Sequence, residues 1–284
     1  IIVFHKSKGG KCNKNSVYKI YFEYYLILTT RGNNDIIFSH FIICTGAGGG
    51  QMIVINNIGH SGFSVESETH MLIFDYSEGK LPSLAMKKKL YVFVSHSHSD
   101  HYNPEVFRLC REHPAVKFVL SSDIPRSEVE SHGVFDYISV DPGMDIKLES
   151  KFRLKALPST DLGVAFLCCL DGRNIYHAGD LNLWLWEGMG ENDVWRMTDR
   201  FREYTRGLKG FRIDTAFLPL DTRQGMYSFL GFDYYMRKFK IKRAIPMHFF
   251  GSSKIVDDLI FDPISRDYRS KIVKMNPGTS AHFE

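Results

Sequence analysis

Ser95-His96-Ser97-His98-Ser99-Asp100-His101 sets three imidazoles and a carboxylate within a single short loop. The apolar run Leu90-Tyr91-Val92-Phe93-Val94 leads into it, and Asn103-Pro104-Glu105 follows. The run is short and rich in β-branched and aromatic residues, so it reads as a buried strand. Asn103 and Pro104 have the chemistry of a helix N-cap and a first helical residue. The loop is therefore strung between a strand end and a helix start. Imidazole and carboxylate together are the usual ligands of zinc and its transition-series neighbours. A merely solvated His-rich loop has no need of such a setting.

The chain around this loop has 284 residues, 44% of them hydrophobic and 24% charged, as in ordinary soluble globular proteins. No apolar run reaches the length of a membrane span. The net charge of +4 is carried by residues 1–51, where Lys6, Lys8, Lys11, Lys14, Lys19 and Arg31 face only Glu23 and Asp35. The remainder is balanced, which weighs against a nucleic-acid partner. Five cysteines without regular spacing do not make a disulfide framework. Cys168 and Cys169 read as packing residues on opposite faces of one strand, and the cysteine usage fits a reducing cytoplasm.

Residues 1–51 do not read like the rest. Their apolar runs have no clean period, and no signal-peptide order is present. Gly46-Ala47-Gly48-Gly49-Gly50 lacks the Lys-Ser/Thr and the helix of a phosphate loop. Gly48-Gly49-Gly50-Gln51-Met52 is instead what a ribosome-binding site before a start codon gives when translated. The expectation is a non-native or poorly packed extension over 1–51 and one domain over 52–284.

Within that domain, Met52–Asn57, Gly62–Glu66 and His70–Asp75 read as an antiparallel meander joined through Gly59-His60-Ser61-Gly62. Further strands are expected over Leu90–Val94, Val116–Leu120, Ile146–Leu157, Gly163–Leu170, Arg173–His177, Asp214–Leu218 and Lys242–Met247. Asp171-Gly172 is a hairpin signal. Helices are expected over Pro104–Glu112, Val194–Leu208 and Phe229–Phe239, with Trp195 on the apolar face of the second. The order, β-rich and then helix and strand, repeated, predicts an α+β, four-layer αββα sandwich. Asp75, the His96–His101 loop, Asp161, Asp180 and His248 all fall at strand ends, where one rim of a sandwich brings them together.

These residues resemble the metallo-β-lactamase-fold superfamily of metal-dependent hydrolases. His96-x-His98-x-Asp100-His101 is similar to its signature loop, His177-Ala178-Gly179-Asp180 to its later Gly-Asp motif, and Pro246-Met247-His248 to its last ligand motif. Ile58-Gly59-His60-Ser61-Gly62-Phe63 and the Pro-x-His ending are most similar to the ascorbate-6-phosphate-lactonase-like branch. The resemblance implies two divalent ions. His96, His98 and the residue before the bridging position would hold one; Asp100, His101 and His248 would hold the other, and Asp180 would bridge. Asp100 and Asp180 would be the catalytic carboxylates. Where the family has a further His, this chain has Pro158-Ser159-Thr160-Asp161-Leu162-Gly163. Asp161 is taken as the replacement ligand, against the blander reading of a turn-capping Asp. Such a site is harder, so manganese or iron join zinc as candidates.

Asp75 and His60 are expected to support the ligands through hydrogen bonds, although a satisfied structural histidine also explains His60. Trp184 and Trp186 are candidates to line a substrate pocket. Arg223 is a candidate for an anionic substrate group and Tyr227 for a developing oxyanion. The function implied is a cytoplasmic dinuclear hydrolase in which a metal-bridging hydroxide attacks a small ester, lactone or phosphoester. A nuclease or phosphodiesterase on the same fold is the alternative, and a non-catalytic metal-binding or scaffold protein is the alternative of another class. No Ser-His-Asp or Cys-His set competes. Neither a membrane nor a nucleic acid is expected as partner.

Overall fold

The meander predicted from the first strands nucleates one of two sheets. The computed structural model describes residues 52–250 and 252–284; the expected extension over 1–51, with its glycine run, lies outside the described residues. Strands β1 (Ile53–Gly59), β2 (Gly62–Glu66) and β3 (His70–Phe74) pair antiparallel. β3 then pairs parallel with β4 (Lys89–Val94), β4 with β5 (Val116–Ser121), and β5 with β6 (Tyr137–Val140). These four strands end at one rim. β3 is buried along its whole length, as expected of a sheet covered on both faces.

The second sheet begins with β7 (Asp145–Glu149), β8 (Phe152–Pro158), β9 (Val164–Leu170) and β10 (Arg173–His177), antiparallel throughout. Ile146–Leu157 is therefore not one strand: a turn at Ser150-Lys151 folds it into a hairpin. That turn has no Gly, Asn or Pro before or within it to announce it. The Asp171-Gly172 hairpin forms as read. Both residues have positive φ, 49° and 81°, the requirement of a type I′ turn. A short pair, β11 (Arg212–Ile213) and β13 (Lys240–Ile241), stands beside the main sheets. β12 (Thr215–Pro219) and β14 (Ala244–Met247) add to β10 in parallel, so their ends meet the same rim. The last strand, β15 (Ser280–Phe283), returns to pair with β1.

Aromatic side chains fill the space between the sheets. Phe63 meets Phe217 with ring centroids 4.5 Å apart, Tyr91 meets Phe152 at 4.9 Å and Phe93 meets Phe166 at 5.3 Å. On the outer face of the first sheet, Ile73, Val92 and Phe118 pack against Val106 and Phe107 of the turn Pro104–Arg108, Leu109 of α1 (Leu109–Glu112) and Val129 of α2 (Arg126–Ser131). On the outer face of the second, Tyr235 of α4 (Leu230–Lys238) packs against Tyr176, and Phe201 of α3 (Glu191–Thr205) packs against Tyr235. The result is the expected four-layer αββα sandwich. α5 (Lys254–Phe261) follows the last rim loop. No described helix is long and apolar enough to cross a membrane.

One packing expectation fails. Trp195 is 68% exposed on α3. The stripe that faces the sheet runs through Val194, Met197, Phe201, Thr205 and Leu208, and Trp195 sits one position off it, about 100° around the helix.

Candidate metal centre

The His-rich loop is held rigidly before any ion is considered. Ser95 N donates to Asp75 Oδ1 at 2.7 Å and Ser95 Oγ to Asp75 Oδ2 at 2.6 Å. Ser97 N donates to Asp123 Oδ2 at 2.8 Å, and Val164 N to Ser95 O at 2.9 Å. Asn103 caps the following turn, accepting from Glu105 N as read from the sequence. Two glycines allow neighbouring chains to approach. Gly163 (φ +67°) lies where a Cβ would run into Ser95 O and His96 Cβ; a Cβ on Gly179 (φ +50°) would come within 2.9 Å of Ser95 Cβ and Val164 O.

On this frame the rim brings together His96, His98, Asp100 and His101 from the first sheet and Asp161, Asp180 and His248 from the second. Asp180 faces both halves of the cluster. Its Oδ1 lies 3.1 Å from His101 Nε2 and 3.3 Å from His248 Nε2, and its Oδ2 lies 3.5 Å from His96 Nε2. His248 Nε2 is also 3.5 Å from Asp100 Oδ2. Asp161 Oδ2 points toward His98 Nδ1 at 3.8 Å. Its backbone N–H donates to Ser159 Oγ at 3.2 Å. His96, His98 and Asp100 form one group able to share an ion, and His98, Asp161 and Asp180 another.

The cluster fits divalent cations on its own chemistry. His96 Nε2, His101 Nε2, His248 Nε2 and Asp180 Oδ1 are buried without a hydrogen-bond partner, whereas buried polar atoms ordinarily find one. The separations exceed the 2.7–2.9 Å of a charge-assisted hydrogen bond. They match the spacing of donors around a shared ion: at bonds of about 2.1 Å, neighbouring ligands stand about 3.0–3.6 Å apart.

Electrostatics sorts the groups. Burial, and then the nearby His101, push His96 down to about 4, leaving a neutral imidazole with a free lone pair. Burial raises the Asp180 carboxyl, but His101 and His248 outweigh it and hold Asp180 below the usual range. His248 and His60, both facing Oδ2, hold Asp100 well below that range. Asp161 is raised, first by burial and then by the like charge of Asp180. A pair of like carboxylates relaxes when a cation sits between them.

Behind the rim cluster stand the groups that hold it in place. Asp75 Oδ2 accepts from His101 Nδ1 at 2.8 Å, as expected. Burial raises Asp75, but His177, His101 and His96 hold it below its ordinary value. Asp221, to which the sequence reading gave no role, has its Oδ2 3.2 Å from His248 Nδ1. Burial opposes its ionisation, and His248 and Arg223 bring it down to about 2. Its signal was available: like Asp75, it follows the last residues of a rim-directed strand. His177, buried at 0% exposure, has its Nδ1 3.7 Å from Asp75 Oδ2 and donates from Nε2 to Ser61 O at 2.9 Å.

The proposed substrate-side residues divide. Trp184 is buried, donates from Nε1 to Asp180 O at 2.9 Å, and has its ring 5.5 Å from that of His248. Trp186 stacks on Trp184 at 6.0 Å and is 37% exposed. Arg223 grips Asp221 through Nε and Nη2 and lies 3.8 Å over the ring of Phe250. Tyr227 is half-buried on the turn Thr222–Tyr227, and no described hydrogen bond or ring contact links it to the cluster. Phe250, whose ring is 5.2 Å from His248, went unremarked in the sequence.

Fold and rim together define a class: the chain has the metallo-β-lactamase fold. No family model matches it. Among curated proteins it is similar to a metal-dependent hydrolase of the UPF0173 group from Korarchaeum cryptofilum, 29% identical over an alignment 142 residues long that covers 45% of this chain and 60% of that protein. Among solved structures it is similar to Igni18, a metallo hydrolase from Ignicoccus hospitalis, with a TM-score of 0.58 and 19% identity, covering 82% of this chain and 99% of that one. It is also similar to CmlA, a diiron β-hydroxylase from Streptomyces venezuelae, with a TM-score of 0.58 and 12% identity, covering 84% of this chain and 55% of that one.

Proposed function

We propose that this protein is a metal-dependent hydrolase with a two-ion centre, acting on a small ester, lactone or phosphoester. The observation that carries the reading is the set of buried, unpartnered nitrogen and oxygen atoms on His96, His101, His248 and Asp180. His96, His98 and Asp161 would hold one ion, Asp100, His101 and His248 the other, and Asp180 would serve both. A pair of divalent ions, when bound, acidifies water toward neutral pKa and polarises the scissile carbonyl or phosphoryl group. The chain's own part is to fix the ligands and shape the approach. Asp75 and Asp221 orient His101 and His248 from behind. Trp186 and Phe250 present aromatic surface at the mouth, suited to an apolar substrate portion. The cysteine usage of the sequence, five without regular spacing, supports work in the cytoplasm.

The test is elemental analysis of the purified protein, followed by assays on a lactone, a thioester, bis-p-nitrophenyl phosphate and nitrocefin with and without chelator. Two ions and chelator-sensitive turnover of a lactone or ester are expected. A folded, metal-free protein unable to take up zinc, manganese or iron would sink the reading. Turnover confined to the phosphodiester would favour the phosphodiesterase alternative. Asp161 favours one second reading, since a carboxylate there hardens the site toward iron and one similar structure is a diiron hydroxylase. Retention of two iron ions, with dioxygen uptake in the presence of a reductant and no hydrolysis, would select it.

A further inference from the structure

The turn between β1 and β2 brings a residue to the centre that the two-ion ligand set leaves out. His60 has φ +43°, a backbone region that side-chain-bearing residues seldom adopt. Such conformations persist where the surroundings hold them and cluster at functional sites. Here the surroundings do hold it. Gly62 allows the tight turn, since a Cβ there would stand 2.9 Å from Gly59 O. The His60 ring packs at 4.5 Å against both His248 and Phe250. Only 10% of the side chain is exposed.

Its Nε2 is buried without a hydrogen-bond partner. It faces Asp100 Oδ2 at 3.4 Å, too long for the hydrogen bond of an imidazole to a carboxylate but in the range of two ligands on one ion. One ligand atom each of His60, Asp100, His101 and His248 lie within 4.8 Å of one another. A histidine satisfied by its own turn shows neither property.

We propose that His60 is a direct ligand of the ion held by Asp100, His101 and His248. With Asp180, five side chains then enclose that half of the centre. The other half is open: His98 and Asp161 are 48% and 50% exposed, against 0% for His101 and 1% for His248. Closed coordination marks a site that stays loaded, and an open position marks the one that receives substrate. The two ions thus differ in job: the inner one is the anchor, and the outer one, beside Asp161, meets the substrate. This inference rests on the two-ion reading above.

The probe is Co2+, added to chelator-stripped protein and followed by its visible absorption and by calorimetry. The wild type is expected to take the first equivalent into a five-coordinate site with weak absorption. In His60→Gln, affinity for that equivalent is expected to fall about 10–100-fold, in line with the loss of a supporting group at other metal sites, and absorption to strengthen as coordination drops to four. X-ray absorption of the wild type with one equivalent serves if His60→Gln does not fold: three imidazoles are expected on the ion. Two imidazoles, or an unchanged first affinity and spectrum in His60→Gln, would overturn the assignment while leaving the two-ion reading intact. A wild type that binds no Co2+ overturns both.

Discussion

Asp161 and Asp75 show how much one carboxylate can decide. Asp161→Ala should lower the bound ions from two to one, read by elemental analysis, because the inner set does not use Asp161. Asp161→His should raise zinc content relative to manganese, since imidazole is the softer ligand; a competition dialysis against both ions measures it. Asp75→Asn leaves the shape but gives His101 Nδ1 a weaker acceptor, and metal affinity should fall about 10–100-fold. Trp184 supplies an optical report on the same ions. Its ring is 5.5 Å from His248, so Co2+ should quench part of the tryptophan emission in the wild type and much less of it in Trp184→Phe. The His-x-His-x-Asp-His spacing and the strand-end Asp residues made most of the rim cluster readable before any coordinates. Asp221 and Phe250 were harder, because a buried carboxylate behind a ligand and an aromatic beside it have no local spacing to betray them. His60 was read as a supporting residue; its neighbours Asp100, His101 and His248 are brought near only by folding.

At the level of single elements, the loops that carry ligands depend on two close backbone approaches. Gly163→Ala should cost about 3 kcal/mol or more in urea unfolding, because its Cβ meets backbone and the φ of +67° is strained for alanine as well. Gly143→Ala is the comparison. It too has positive φ, 91°, but nothing stands within 4 Å of the added Cβ, so about 1 kcal/mol is expected. Legibility followed periodicity here. β2 was read to the residue and most other strands to within a residue or two, because their flanks carry Gly, Asp or Pro. α2, β6 and β15 were missed: the runs are 6, 4 and 4 residues long, too short for a period to assert itself. Trp195 misled because a large aromatic near the right phase of a helix looks buried until the true stripe is known.

For the molecule as a whole, the end of the sandwich away from the centre has its own tie. Glu149 of the second sheet meets three residues of the first: Lys89 Nζ at 2.5 Å, Tyr91 OH at 2.8 Å and His70 Nε2 at 3.3 Å. Burial raises Glu149, but Lys89, Tyr91 and His70 outweigh it and hold it below its ordinary 4.5. A depressed carboxyl contributes stability that is present above about pH 4.5 and is lost as pH falls through the lower, folded value. Stability should therefore decline as acid is added below pH 4.5. Glu149→Gln should lose about 1 kcal/mol at pH 7 and show a shallower acid decline, measured by denaturant melts across that range.

The candidate ligands are drawn from both sheets and from a span that runs from the first turn, at His60, to the end of β14, at His248. No early folding intermediate can own such a site. The full centre exists only after the last rim strand has docked, so most of the metal's binding energy arrives late in folding. Bound ions should slow unfolding and leave the folding rate nearly unchanged, the signature of contacts absent from the transition state. Loading then works as a latch on a finished molecule: a nascent or damaged chain that lacks β14 stays unlatched, exposed to whatever degrades unfolded protein.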